Sequence, residues 1–199
     1  MYTIKKTDHK ILAMNDPAWE LAETASVNIN NWKQFEYLPN TYAKVLYNEE
    51  AMYVKMWTDE TPLLARFTKQ NERVCNDSCM EFFISPNMED KRYMNFEFNP
   101  FGTMNLGFRS HRHDSVAPTE DKNFFGVQTL VEDGCWTIQF TIPFDYIDKM
   151  FGGHTKEMRG NFYKCGEETI REHYGSMYPM HPTEVDFQRS EYFGPFVLE

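Results

Sequence analysis

Two acids and an amide occupy alternating positions in neighbouring runs of the chain: Glu81 in CMEFFIS, and Asn95 and Glu97 in YMNFEF. If the runs pair as strands, directly opposed side chains stand about 5 Å apart. That separation suits two chemistries. A retaining glycosidase places a nucleophile and an acid/base at such a distance. A binding surface uses the same carboxylates as acceptors for ligand hydroxyls, while the amide adds a donor and an acceptor. Gln139, in the run CWTIQFTIP, is a further outward amide of the same kind.

The remaining reactive side chains suggest metals. His111, Arg112, His113 and Asp114 put two imidazoles and a carboxylate within four residues, a set that holds zinc if a fourth ligand arrives and is otherwise a solvated loop. Asp59, Glu60, Asp77 and Asp114 are oxygen donors open to structural calcium, but no segment has dense ligand spacing. Cys75, Cys79, Cys135 and Cys165 contain no C-x-x-C pair and read as reduced thiols, with a Cys75 to Cys79 bridge as the alternative. Twelve methionines, including Met177 with His173 and His181 nearby, leave haem ligation by Met and His open. No resident cofactor is expected.

Strands must position these groups. In residues 74–99, Met80, Phe82 and Ile84 alternate with Glu81 and Phe83, and Met94, Phe96 and Phe98 alternate with Asn95 and Glu97. Period two sends successive side chains to opposite faces, one core and one polar. A second hairpin spans residues 42–58, with Met52, Val54 and Met56 on one face and Tyr53, Lys55 and Trp57 on the other. A third joins 124–131 to 135–142 across Glu132, Asp133 and Gly134. Residues 2–6 read as an edge strand, 103–108 as a short strand, 109–123 as a loop, 144–150 as a short helix, and 158–165 and 194–198 as closing strands. About ten short strands with turn punctuation predict an all-β, two-sheet sandwich formed by residues 1–199 as one domain. Trp19 is expected to plug one end of the core.

Composition sets the partners. A net charge of -10 on 199 residues opposes binding to a phosphate backbone, which depends on Lys and Arg. No apolar run approaches membrane-spanning or signal-peptide length, so the expected location is cytoplasmic unless a leader has been removed, and no membrane partner is expected. Oligomeric state is not legible here.

Five phrases in order carry a family resemblance: DSCMEFFISP at 77–86, YMNFEFNPFG at 93–102, Trp136 followed by Ile142 and Pro143, GNFYKCG at 160–166, and the terminal EYFGPFVLE. Together they resemble the stand-alone family 9 carbohydrate-binding modules. The resemblance implies an immunoglobulin-like or jelly-roll-like β-sandwich, no catalysis, structural calcium in some members, and sugar recognition by aromatic clamps, often at a chain end. Glu81 matches the acid that hydrogen-bonds sugar hydroxyls. Cys75 stands where the family often has one clamp tryptophan, and Met177, in Ser176-Met177-Tyr178-Pro179, where it usually has the other. Thioether and thiol cannot reproduce an aromatic face.

The expected function is non-catalytic binding of a saccharide on the outward sheet face, with specificity altered or weakened. Glu81, Asn95, Glu97 and Gln139 would orient hydroxyls, and Trp57, Tyr174, Met177 and Cys75 would form the contact surface. The alternatives are an interaction scaffold with a decayed sugar site, a glycoside hydrolase using Glu81 and Glu97, and a haem-binding domain.

Overall fold

The computed structural model describes residues 1–111, 113–132 and 134–199. Arg112 of the histidine-rich segment and Asp133 of the third hairpin turn lie outside the described residues. The strands are β1 (Tyr2–Lys6), β2 (Ala25–Ser26), β3 (Thr41–Tyr47), β4 (Ala51–Thr58), β5 (Cys79–Ser85), β6 (Tyr93–Phe98) and β7 (Met104–His111). There follow β8 (Asp114–Val116), β9 (Gln128–Glu132), β10 (Cys135–Pro143), the helix α1 (Phe144–Phe151), β11 (Glu157–Gly166), β12 (His173–Ser176) and β13 (Gly194–Leu198). The protein is mainly β, and no helix among the described residues is long and apolar enough to cross a membrane.

The strands form one hydrogen-bonded ribbon in the order β8-β7-β6-β5-β11-β13-β1-β3-β4-β10-β9, with β12 added to β11 and β2 to β3. Alternation explains why it curls. Met80, Phe82 and Ile84 of β5, Met94, Phe96 and Phe98 of β6, Met52, Val54 and Met56 of β4, and Ile138 and Phe140 of β10 all enter one buried cluster. Phe140 lies 4.7 Å from Phe98 and 5.5 Å from Phe96, ring centre to ring centre, although β10 and β6 are near opposite ends of the ribbon. Only by folding the ribbon over can both halves remove these side chains from water, and each large apolar side chain so buried contributes about 1.5–3 kcal/mol.

β1 is not an edge strand. Tyr2, Thr3 and Ile4 pair in parallel with Phe196, Val197 and Leu198, and Lys5 and Lys6 continue in parallel beside Leu46 and Tyr47. This N-terminal strand is the joint between the two halves, a position set by partners from the far end of the chain. The third hairpin begins at Gln128 rather than 124, because residues 124–127 turn beneath β10: Thr141 N donates to Phe125 O at 2.8 Å, and Phe125 is buried in the core. Arg109 is in a strand rather than a loop, since β7 continues beside Tyr93 and folds back onto β8.

Each half is also covered on its outer face. Over β3 and β4, Trp19 packs with Ile11, Ala18, Ala22, Leu46 and Tyr53, reached through a short 3-10 turn whose cap, Asp16, accepts from Ala18 N. Trp19 therefore seals an outer face rather than an end of the main core. Over β5, β6 and β11, Trp32, Tyr174, Met180 and Phe187 pack on Phe83, Tyr93 and Tyr163. This second cover is incomplete, and the gap is where the acids lie.

Candidate functional site

Glu81 of β5 lies directly opposite Glu97 of β6 and Tyr163 of β11, on the face turned away from the main core. Asn95 and Glu97 are two residues apart on β6 and share that face. Asn105 of β7 stands opposite Glu97, and Gly107 opposite Asn95. These neighbours build one network. Asn95 Nδ2 donates to Glu97 Oε1 at 2.8 Å, Asn105 Nδ2 donates to Glu97 Oε2 at 2.7 Å, and Arg109 Nε donates to Asn95 Oδ1 at 2.8 Å. Gln188 Nε2 reaches Glu97 Oε1 at 3.4 Å, while its carbonyl accepts from Tyr93 OH at 2.9 Å. Glycine at 107 is a steric requirement. A Cβ there would stand 2.4 Å from Asn95 Oδ1, so any larger residue would push the amide away from Arg109 and Glu97.

The two acids differ in support. Burial raises the proton affinity of both. For Glu97 that lift is opposed by hydrogen bonds from Asn105 and Asn95 and by the Arg109 charge. Glu81 is lifted well above the usual carboxylate range by burial and then by the Glu97 charge, with the hydrogen bond from the Cys165 thiol at 3.0 Å opposing. Thiols are weak donors. Of the pair, Glu97 holds the negative charge more readily and Glu81 takes the proton. A protonated Glu81 presents both an O–H donor and a carbonyl acceptor.

A pocket of about 260 Å³ opens above this floor. Glu81, Glu97, Asn105, Arg109, Cys75 and Cys165 line its base and near wall, and Tyr174, Val185, Phe187 and Gln188 line the other side. The aromatic wall is braced from behind. Phe187 stacks on Tyr163 at 4.2 Å and 11°, and Trp32 contacts both Tyr174 and Phe187 while its Nε1 donates to Pro182 O. Tyr174 enters from β12, where it is paired with Cys165 of β11.

Of the residues singled out from sequence, Glu81, Glu97, Tyr174 and Cys75 line this pocket, and Asn95 orders its floor. The other three lie elsewhere. Gln139 is on β10 in the opposite half, where it accepts from Trp19 Nε1 at 3.2 Å under the outer cover. Trp57 is on β4, half-buried and stacked against Tyr42 at 5.6 Å. Met177 packs against the main core. Gln139 and Trp57 follow their strands' alternation correctly, but alternation assigns a face within a strand and not which half the strand joins; Met177 follows the end of β12 and belongs to no strand. Asn105, Arg109, Phe187 and Gln188 went unrecognised. Asn105 had a legible signal, an outward position on the strand after β6; Gln188 and Phe187 arrive from an irregular segment with none.

The residues considered for calcium are occupied by the protein. Asp77 accepts from the backbone N–H of Arg66 and Phe67, from the Arg66 guanidinium and from Asn99. Asp59 accepts from Asn40, and Asp114 from Ser110. Glu60 is paired with the fully buried ammonium of Lys164 at 2.7 Å, and Lys164 also donates to the carbonyls of Cys79 and Cys165. These four carboxylates do not converge, so they do not fit a shared calcium site. All four cysteines are free.

Comparison with known proteins agrees with the architecture. A crystal structure of a Bacteroides uniformis protein described as carbohydrate-binding superposes with a TM-score of 0.85 at 23% identity, covering 99% of this chain and 98% of that one. A family 9 carbohydrate-binding module from Caldicellulosiruptor kristjanssonii, in complex with cellotriose, gives 0.69 at 14% identity over 100% of this chain and 93% of the other. The same module with glucose gives 0.68 at 14% identity over 99% and 94%. Among curated proteins no sequence matches. The model of carbohydrate-binding family 9 matches residues 14–198, nearly the whole chain and every element of the pocket, and the chain therefore belongs to that family.

Proposed function

We propose that this carbohydrate-binding protein holds a single sugar ring in the pocket over Glu81 and Glu97, without catalysis and with a specificity altered from that of the tryptophan-clamped members. The observation that carries the reading is the built floor. Asn95, Asn105, Arg109 and Gln188 are locked around Glu97, so their remaining donors and acceptors are oriented before a ligand arrives, which lowers the ordering cost of binding. A cavity of about 260 Å³ accommodates one ring rather than a chain laid across a face. Tyr174 and Phe187 supply apolar surface beside the polar floor, the usual composition of a small-molecule site. The glucose and cellotriose complexes of the Caldicellulosiruptor module support this ligand class. The curled ribbon reads as a two-sheet sandwich of the immunoglobulin-like kind.

The acids act as ligand-orienting groups in this reading. Both Glu97 oxygens accept hydrogen bonds from neighbouring amides, an arrangement suited to fixing a hydroxyl and unsuited to a free nucleophile. A second reading rests on one observation: among the described residues no tryptophan lines the pocket, and Trp32 is buried behind its wall. An interaction scaffold with a decayed sugar site would look this way.

Calorimetry with glucose, cellobiose, cellotriose and a wider monosaccharide panel separates the two. Binding that weakens roughly 10-fold or more in Asn95→Ala, an effect of the 1–3 kcal/mol size expected when a buried partner is lost, supports the pocket. No binding of any sugar at millimolar concentration, or binding indifferent to Asn95→Ala and Glu81→Gln, overturns it.

A further inference from the structure

Behind Glu81 the pocket floor contains a group of soft ligands that sugar recognition does not use. Cys79 of β5 and Cys165 of β11 are directly paired across the two strands, and Glu81 is two residues from Cys79 on the same face. Glu81 Oε1 lies 3.0 Å from Cys165 Sγ and 3.8 Å from Cys79 Sγ, and all three ligand atoms fall within 4.8 Å of one another. Two thiolates and one carboxylate around a tetrahedral zinc ion, at bond lengths of about 2.3 and 2.1 Å, stand about 3.6–3.8 Å apart. Small side-chain rotations therefore convert the present arrangement into a ligand shell, while the backbone of two central strands stays fixed.

Three further features favour a metal over an inert packing role. Glu81 is a buried carboxylate whose thiol donors satisfy it poorly, and it is turned into an open cavity rather than sealed in the core. Access exists, because Cys165 and Glu81 both line the pocket while Cys79 lies behind them, completing the base. The charge is also moderate. A zinc ion lowers the three negative charges of two thiolates and a carboxylate to one, and the Lys164 ammonium, which is also paired with Glu60, donates to the backbone carbonyls of both cysteines immediately behind.

We propose that Cys79, Cys165 and Glu81 form a binding site for a thiophilic divalent cation of the zinc class, with the fourth coordination position facing the pocket. Capture forms two metal–sulfur bonds and one metal–oxygen bond. The two thiol protons, and the Glu81 proton where present, pass to solvent, and no electron is transferred. Protons compete with the cation for both sulfurs, so affinity rises with pH. Soft thiolates with one hard oxygen select zinc or its analogues over calcium. The open fourth position would take water, or a hydroxyl of whatever occupies the pocket.

The site is tested on the reduced 199-residue chain without sugar, so its outcome is independent of saccharide binding. Titration with Co²⁺ is followed by the thiolate-to-metal charge-transfer band, and Zn²⁺ is then added as competitor. The expected result is one ion per chain, displaced by Zn²⁺, with the band abolished in Cys79→Ala and Cys165→Ala and unchanged in Cys135→Ala, which alters the cysteine outside this half. Glu81→Gln, which keeps the side-chain shape, should retain the band and weaken Zn²⁺ at least 10-fold. Absence of a thiolate band in the wild-type protein overturns the proposal. So does a band that survives loss of both Cys79 and Cys165, or one that disappears with Cys135.

Discussion

Glu81→Gln should make the protein more stable at pH 8 while removing its affinity for sugar. Glu81 and Glu97 are both buried and directly opposed across β5 and β6, and both have raised proton affinity. When both are ionised, two like charges about 5 Å apart at an effective dielectric of 20 repel by roughly 3 kcal/mol. Gln removes that repulsion and forfeits the charge-assisted thiol hydrogen bond from Cys165, about 1 kcal/mol. The net is a gain of about 2 kcal/mol, or roughly 4–8 °C in Tm for a chain of this size. The pH dependence carries the sharper signature. A carboxyl whose folded-state affinity for protons exceeds its unfolded one favours folding fully below the unfolded pKa of about 4.3, and that contribution is lost as pH rises through the raised folded value. Wild-type stability should therefore fall across this window, and Glu81→Gln should flatten the fall. Urea denaturation at a series of pH values between 4 and 9 measures both. A variant less stable than wild type at pH 8, or one with an unchanged pH slope, would refute the account of Glu81 as a repelled, poorly satisfied acid.

Gly107→Ala introduces a Cβ 2.4 Å from Asn95 Oδ1, so sugar affinity should drop about 10-fold with a stability loss of about 1–2 kcal/mol, read by calorimetry and thermal melts. Trp57→Ala should leave sugar affinity unchanged, because Trp57 is on the opposite half; a large loss would mean that the binding face has been misassigned. Gln139→Ala should cost about 1–3 kcal/mol by leaving Trp19 Nε1 buried without its acceptor, again with binding intact. His173 is buried, donates from Nδ1 to Arg171 O, and is held neutral by burial and by the Lys164 charge, down to about 3. Since the unfolded imidazole takes a proton near 6.5 and the folded one does not, stability should decline as pH falls from about 6.5 towards 3. His173→Gln should shallow that decline in pH-dependent melts.

How much of this was legible depends on the range of the interaction. Alternation in residues 79–85 and 93–98 assigned Glu81, Asn95 and Glu97 to one face, because the period of two is a local property of extended backbone. The same rule placed Gln139 and Trp57 outward, and both do point outward, from the other half. A strand's own sequence does not say which strands will lie beside it. Met177 packs inward because Tyr178 and its neighbours turn over Gly194 at the joint with β13, a contact between segments with no shared pattern.

By itself the sequence determined the all-β class, the two central hairpins, the polar face carrying both acids and, through five phrases in order, the family. Only the tertiary structure decided that β1 joins the two halves, that Phe187 and Gln188 close the pocket, and that Cys79 and Cys165 meet beneath Glu81. Those two cysteines are separated by 85 other residues of chain and brought side by side by the pairing of β5 with β11. The physical reason is that local backbone geometry is written residue by residue, whereas a site is made by contacts whose only cause is the burial of a core shared between distant strands.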